Sequence, residues 1–161
     1  MRILSYILSS VFGVGYFPFA PGTAGSAVAT LFVYYLYYFN LNTSDGYYNL
    51  LIIVLFVIGW LSGSFIEKNE RKRDPGFIVI DEFTGILVTF WGLNIAGPYF
   101  FYYLIGGFVL FRIFDIAKPY PISGLENVRG GIGIMADDFV AGIFANCILK
   151  FAGYIWKIYN A

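Results

Sequence analysis

Long stretches of this chain carry no charge at all. No Asp, Glu, Lys or Arg occurs from Ile3 to Ser44, from Gly46 to Ile66, or from Phe83 to Phe111, gaps of 42, 21 and 29 residues. A bilayer core of about 30 Å takes roughly 20 apolar residues as helix, so each gap is long enough to hold a span. The chain is 59% hydrophobic and only 12% charged, where an ordinary soluble domain is about 25% charged. Disorder, a coiled coil and a polar extracellular module are excluded on that ground. Ten basic residues balance ten acidic ones, so no net field recruits nucleic acid. One cysteine forms no internal disulfide, and the total absence of histidine removes His nucleophiles, His bases and His metal ligands.

Punctuation by glycine and proline divides the gaps into elements. Gly13, Gly15, Pro18, Pro21 and Gly22 break the first into a short apolar N-terminal segment, a loop and a helix from about Ala24 to Phe39. Pro18 and Pro21 also interrupt any secretory signal ending at Ala27-Val28-Ala29. Asn40–Gly46 reads as a polar turn, and Tyr47–Phe65 as the strongest span, apolar on every face. Asn94–Pro98 splits the third gap into Ile78–Leu93 and Tyr99–Phe114, each 16 residues and marginal as a span, open to tilting, re-entry or shelter by protein. A last helix is predicted from Asp137 to about Tyr159, with Lys150 and Lys157 snorkelling. Within it, Cys147 reads as a core residue and not a nucleophile. The expectation is an all-α, compact polytopic membrane bundle of about four apolar helices plus a short N-terminal segment. Residues 1–161 form one domain without repeats. Lys68, Arg71, Lys72 and Arg73 follow the strong span, while the turns at 40–46 and 94–98 hold no Lys or Arg. The positive-inside rule then puts the 67–77 and 115–136 loops in the cytoplasm.

In that topology five carboxylates fall on one side, from three chain segments: Asp81 and Glu82, Asp115, and Asp137 with Asp138. Acids at a helix start offset the macrodipole and cap free amides, which is a sufficient reading of Asp81/Glu82 and Asp137/Asp138 taken singly. Asp115 follows a helix, where the dipole disfavours an anion, and needs a partner such as Arg112 or Lys118. Together, five carboxylates against Arg112, Lys118 and Arg129 leave an excess of negative charge that a hard divalent cation fits. All-oxygen ligation favours Mg²⁺, Mn²⁺ or Ca²⁺ over zinc. Two glycine-rich stretches are candidate anion cradles or plain turns. In one, Thr23 caps a helix and leaves the amides of Ala24, Gly25 and Ser26 facing an anion. The other runs from Arg129-Gly130-Gly131 through Gly133 to the Asp137-Asp138 pair. Gly85, Ala141 and Gly142, one turn after acids, would let helices approach closely.

Four ordered blocks resemble the phosphatidylglycerophosphatase A family. They are Pro18-x-Ala20-Pro21-Gly22-Thr23-x-Gly25-Ser26; Asp74-Pro75 with Ile80-Asp81-Glu82-Phe83-x-Gly85; Phe111-Arg112-Ile113-Phe114-Asp115-Ile116-x-Lys118-Pro119-x-Pro121-Ile122; and Gly130-Gly131-x-Gly133-Ile134-Met135-x-Asp137-Asp138-x-x-Ala141-Gly142. Where many relatives carry a histidine upstream of the Asp-Pro step, this chain has Lys72-Arg73. The resemblance implies a Mg²⁺-dependent, multi-pass enzyme of the bacterial inner membrane, its site on the cytoplasmic face, with a phospholipid as partner. Its expected activity is removal of phosphate from phosphatidylglycerophosphate in phospholipid biosynthesis. Asp81, Glu82, Asp137 and Asp138 are the expected metal ligands, with Glu82 or Asp115 also suited to orient water. Arg112, Lys118 and Arg129, with Thr23, Gly25, Ser26 and Gly131, are expected to hold the phosphate. Two other classes are open. A transporter usually buries its acids within spans. A CDP-alcohol-type lipid synthase also uses aspartates and Mg²⁺, but spaces its aspartates apart.

Overall fold

The computed structural model describes residues 2–41, 43–93, 99–125 and 127–159. Among these the chain is all-α, without a strand: α1 (Arg2–Ser9), a 3₁₀ turn (Val14–Tyr16), α2 (Pro21–Tyr38), α3 (Gly46–Glu70), α4 (Ile80–Thr89), α5 (Phe100–Ala117), α6 (Ile122–Leu125) and α7 (Gly131–Tyr159). The expected break at Asn94–Pro98 lies outside the described residues. Three of the helices, α3, α5 and α7, are long and apolar enough to cross a membrane. With 25 and 29 residues, α3 and α7 reach about 37 and 43 Å at 1.5 Å per residue. Their outward faces are apolar: Leu50, Ile53 and Leu61 of α3 and Ile105 of α5 all stand exposed.

The helix expected over 78–93 is realised differently. α4 has only 10 residues, about 15 Å, and nine of them are buried. Of the options open to a marginal span it takes shelter within protein, packing on α2, α3, α5 and α7. A short helix in apolar surroundings must still satisfy its last carbonyls. Side chains of its neighbours do so. Tyr48 of α3 donates to Leu87 O at 2.7 Å, and Asn146 of α7 donates to Thr89 O at 2.9 Å and to Trp91 O at 2.8 Å. Just beyond, Thr43 donates through Oγ1 to Leu93 O at 2.9 Å, and Gly92 N donates to Thr43 O at 3.0 Å. Tyr48 and Thr43 from the uncharged stretches, with Asn146 of α7, therefore serve as caps for the end of this one buried helix.

α4 crosses α7 at two glycines. A Cβ on Gly142 would lie 2.4 Å from Gly85 O, and one on Gly85 would lie 2.8 Å from Asp138 O. The small residues after the acids thus bring two backbones together, and Ala141, fully buried, belongs to the same contact face. Around it the core is Ala29 and Val33 of α2, Ile86 and Leu87 of α4, Phe111 of α5, and Ala145 and Leu149 of α7, with Phe90 just after α4.

Two expectations are corrected. α7 starts at Gly131, six residues before Asp137, so both aspartates sit in its second turn and cap nothing. The glycines that read as loop enter the helix because Gly131 seats on α3: its amide donates to Ser64 Oγ at 2.9 Å, and a Cβ there would strike Trp60 O at 2.1 Å. Cys147 is exposed and not a core residue. The inward stripe of α7 runs through Gly142, Ala145, Asn146 and Leu149 at helical spacing, and Cys147 lies off it.

Candidate functional site

Five helix ends meet at one end of the bundle: the starts of α2, α4 and α7 and the finishes of α3 and α5. Asp81 and Glu82 stand in the first turn of α4, where the helix dipole favours acids. Asp138 reaches them from α7. One carboxylate oxygen from each of Asp81, Glu82 and Asp138 lies within 4.8 Å of the others. The convergence expected of remote acids is therefore present, with Asp81 7% and Asp138 3% exposed. Asp115 is within hydrogen-bonding reach of Asp138 and pairs with Arg112 on its own helix, the partner its position at a helix end requires.

Asp137 faces elsewhere. Adjacent helical residues diverge by about 100°, and its carboxylate takes a hydrogen bond from Lys118 Nζ at 2.9 Å, outside the three-acid group. Arg112 stays close to Glu82: a Cβ on Gly22 would lie 2.1 Å from Glu82 Oε1 and 3.3 Å from Arg112 Nη1. Gly22 at the start of α2 is thus the gap through which Glu82 and Arg112 share one space. Arg129 is exposed on the loop before α7 and belongs to neither ion pair.

The acids on α4, itself too short to span, show what this crowding costs. Burial pushes the Asp81 carboxyl well above the usual range, and the neighbouring charges of Glu82, Asp138 and Asp74 push it further. Glu82 rises to about 7, chiefly by burial and also by Asp115, against the lowering pull of a hydrogen bond from Asp81 and of Arg112. Asp81 Oδ1, Glu82 Oε2 and Arg112 Nε are buried without a hydrogen-bond partner. Buried polar atoms of this kind require an explanation. A hard divalent cation among Asp81, Glu82 and Asp138 fits the donor chemistry, since all three offer carboxylate oxygen.

The first glycine-rich stretch is built otherwise than expected. α2 begins at Pro21 after Ala20, so Thr23 lies inside the helix and does not cap it, and the Ala24 amide donates to Ala20 O at 3.1 Å. Ser26 is buried, donating to Gly22 O at 2.8 Å, and Gly25 packs on Val79, where a Cβ would meet Val79 Cβ at 2.8 Å. In the second stretch the Gly131 amide is spent on Ser64. Sequence reasoning passed over Glu67, read only as part of a basic, orienting loop. It lines a polar cavity of about 370 Å³ with Arg73, Asp74, Asn127 and Asp137 beside the three-acid group. The signal available for this cavity was Asp74-Pro75, which opens the second motif block.

Comparison with known proteins gives the family of the chain. The family model described as phosphatidylglycerophosphatase A matches residues 7–153. A protein of Escherichia coli named phosphatidylglycerophosphatase A is 36% identical over 154 residues, covering 95% of this chain and 86% of its own. Its namesake in Haemophilus influenzae is 31% identical over 155 residues, 95% of this chain and 90% of its own. A Bacteroides thetaiotaomicron protein, named a putative phosphatidylinositol-3-phosphatase, is 33% identical over 152 residues, 94% of this chain and 95% of its own. No solved structure matches. All four motif blocks fall within the matched residues, and the chain belongs to the phosphatidylglycerophosphatase A family.

Proposed function

We propose that this protein is a Mg²⁺-dependent lipid phosphatase that hydrolyses phosphatidylglycerophosphate to phosphatidylglycerol and phosphate, a step of phospholipid biosynthesis. The observation that carries the reading is the buried group of Asp81, Glu82 and Asp138 beside Arg112, in a chain similar to two proteins that bear that activity in their names. The two relatives named phosphatidylglycerophosphatase A, both bacterial, and the three apolar helices support a place in the inner membrane. Lys68, Arg71, Lys72 and Arg73 in the 67–77 segment, with Arg112, Lys118 and Arg129 in or beside the 115–136 segment, favour a multi-pass arrangement with the site toward the cytoplasm.

Uncatalysed hydrolysis of a phosphate monoester is so slow that the site must remove on the order of 20 kcal/mol from the barrier. Positioning and charge neutralisation are the main means. Asp81, Glu82 and Asp138 would hold the divalent cation, with Asp137 as a further ligand if it leaves Lys118. When bound, the cation supplies Lewis-acid neutralisation of charge on the phosphoryl oxygens. Arg112 is anchored by Asp115 through Nη1, which leaves Nε to hold a phosphoryl oxygen. Lys118 adds a point charge from the other side, oriented by Asp137. Asp115, between Arg112 and Asp138, is placed to orient the attacking water and accept its proton as the P–O ester bond breaks. The water oxygen becomes bonded to phosphorus, the released glycerol oxygen takes the proton from Asp115, and inorganic phosphate leaves. The acyl chains stay on the apolar side of the bundle throughout.

The test is phosphate release from phosphatidylglycerophosphate by purified protein, with Mg²⁺ and with chelator, beside a soluble phosphate ester. Release that needs Mg²⁺ and favours the lipid is expected. No release, or equal release under chelation, would overturn the reading. The name of the Bacteroides relative favours one second reading, a phosphoinositide as substrate, and the same assay with phosphatidylinositol 3-phosphate decides between the two.

A further inference from the structure

The helices that carry Gly22 and Arg112 to the carboxylates also enclose an apolar groove. It lies between α2 and α5, has a volume of about 480 Å³, and is lined by Ala27, Leu31 and Tyr34 from one helix and Leu104, Ile105 and Phe108 from the other. That size is within the range of small-molecule sites, roughly 300–1,000 Å³. No charged residue lines it, and Thr30, at its wall, donates its hydroxyl to Ser26 O at 2.8 Å, which removes that polar group from the surface.

The groove lies on the same two helices as the proposed phosphate site. Phe108 is one turn before Arg112, about 6 Å along α5, and Ala27 is five residues after Gly22, about 7.5 Å along α2. The near end of the groove therefore begins within reach of a lipid whose phosphate sits at Glu82 and Arg112. Its far end is closed by the Tyr34 and Phe101 rings, 6.0 Å apart. Both lie about 17 Å along their helices from Gly22 and Arg112.

We infer that the α2–α5 groove is the acyl-chain site of the lipid substrate, with Ala27 at its entrance and the Tyr34–Phe101 contact as the stop that sets chain length. This rests on the lipid-phosphatase reading. Ala27 is small and exposed, which leaves room for a chain where a larger side chain would fill the entrance.

The experiment compares kcat/KM for dipalmitoyl and dihexanoyl phosphatidylglycerophosphate, and reads only their ratio. Ala27→Phe and Ile105→Trp, both at exposed positions, should lower the long-to-short ratio by about tenfold, because the long chain loses buried CH₂ contacts. Tyr34→Ala, which opens the stop, should raise that ratio. An unchanged ratio in all three variants would overturn the inference. The second arm does not depend on turnover and uses phosphatidic acid carrying a diazirine in its acyl chain. Label is expected at Leu31 and Ile105, lost with excess unlabelled phosphatidic acid and weakened by Ala27→Phe. Equal label on the outward Ile53 of α3, insensitive to competitor, means ordinary bilayer lipid in the groove and overturns the inference. If wild-type protein releases no phosphate from either lipid, the phosphatase reading fails alone, and the labelling pattern decides the groove.

Discussion

The two ends of the bundle solve opposite problems with the same helices. At one end, the starts of α2, α4 and α7 and the finishes of α3 and α5 gather Asp81, Glu82, Asp115, Asp137 and Asp138 around two ion pairs. At the other, the same helices meet with almost no charge: Tyr99 packs on Trp156 with ring centroids 4.9 Å apart, Tyr37 on Phe100 at 4.9 Å, and Lys150 sits over the Trp91 ring at 5.4 Å. The uncharged end satisfies its backbone, as Asn146, Tyr48 and Thr43 close every carbonyl they reach. The charged end leaves buried oxygens of Asp81 and Glu82 without partners. One end is built for stability. The other carries electrostatic strain that a bound cation and a phosphate would relieve.

That contrast breaks if removing a carboxylate harms the fold as much as the chemistry. Asp81→Asn and Asp138→Asn should each lower phosphate release by about a thousandfold or more, comparable with the loss of a principal transition-state group. Their thermal unfolding in detergent without metal should be unchanged or improved, because like-charge repulsion falls. A smaller effect comes from the Glu82 carboxyl, raised from 4.5 to about 7. In metal-free protein the folded state binds this proton more tightly than the unfolded state, so stability should fall as pH rises through that window. Mg²⁺ should raise the melting temperature more above the window than below it, and its affinity should drop by up to about tenfold per pH unit on acidification. Isothermal titration across pH, with Glu82→Gln flattening the slope, checks this.

At the aromatic end the expected losses are in stability. Asn146→Ala uncaps Thr89 and Trp91 carbonyls and should cost about 1–3 kcal/mol. The smallest effect is Trp156→Ala, which loses one aromatic pair worth about 0.5–1.5 kcal/mol beyond its partly exposed area. Thermal unfolding measures both, and the KM of either variant at permissive temperature should match wild type. A large change in KM from Trp156→Ala would mean that the two ends are coupled.

Much of the charged end was legible beforehand. A carboxylate in a sparsely charged chain is conspicuous, and Asp81, Glu82, Asp115 and Asp138 all stand out in the sequence. The Gly85–Gly142 crossing was legible too, because small residues one helical turn after acids imply close packing. The glycine-rich stretches were misread for a physical reason. Glycine signals both turns and close approach, and only a neighbour decides which. Ser64 and Trp60 draw Gly131 into α7, and Val79 holds Gly25 against the start of α4. Glu67 escaped notice because its basic neighbours dominate the local charge pattern.

By itself, the sequence determined that this chain forms apolar helices and that its few acids lie at their ends, because hydropathy and charge act locally and leave a mark at each position. Only the tertiary structure decided that α4 stops after ten residues under the caps of Asn146, Tyr48 and Thr43. It alone turned Asp138 toward Asp81 and Glu82 while Asp137 met Lys118. Neighbouring residues on a helix share composition and hydropathy, but the direction each side chain takes depends on which helix packs against it.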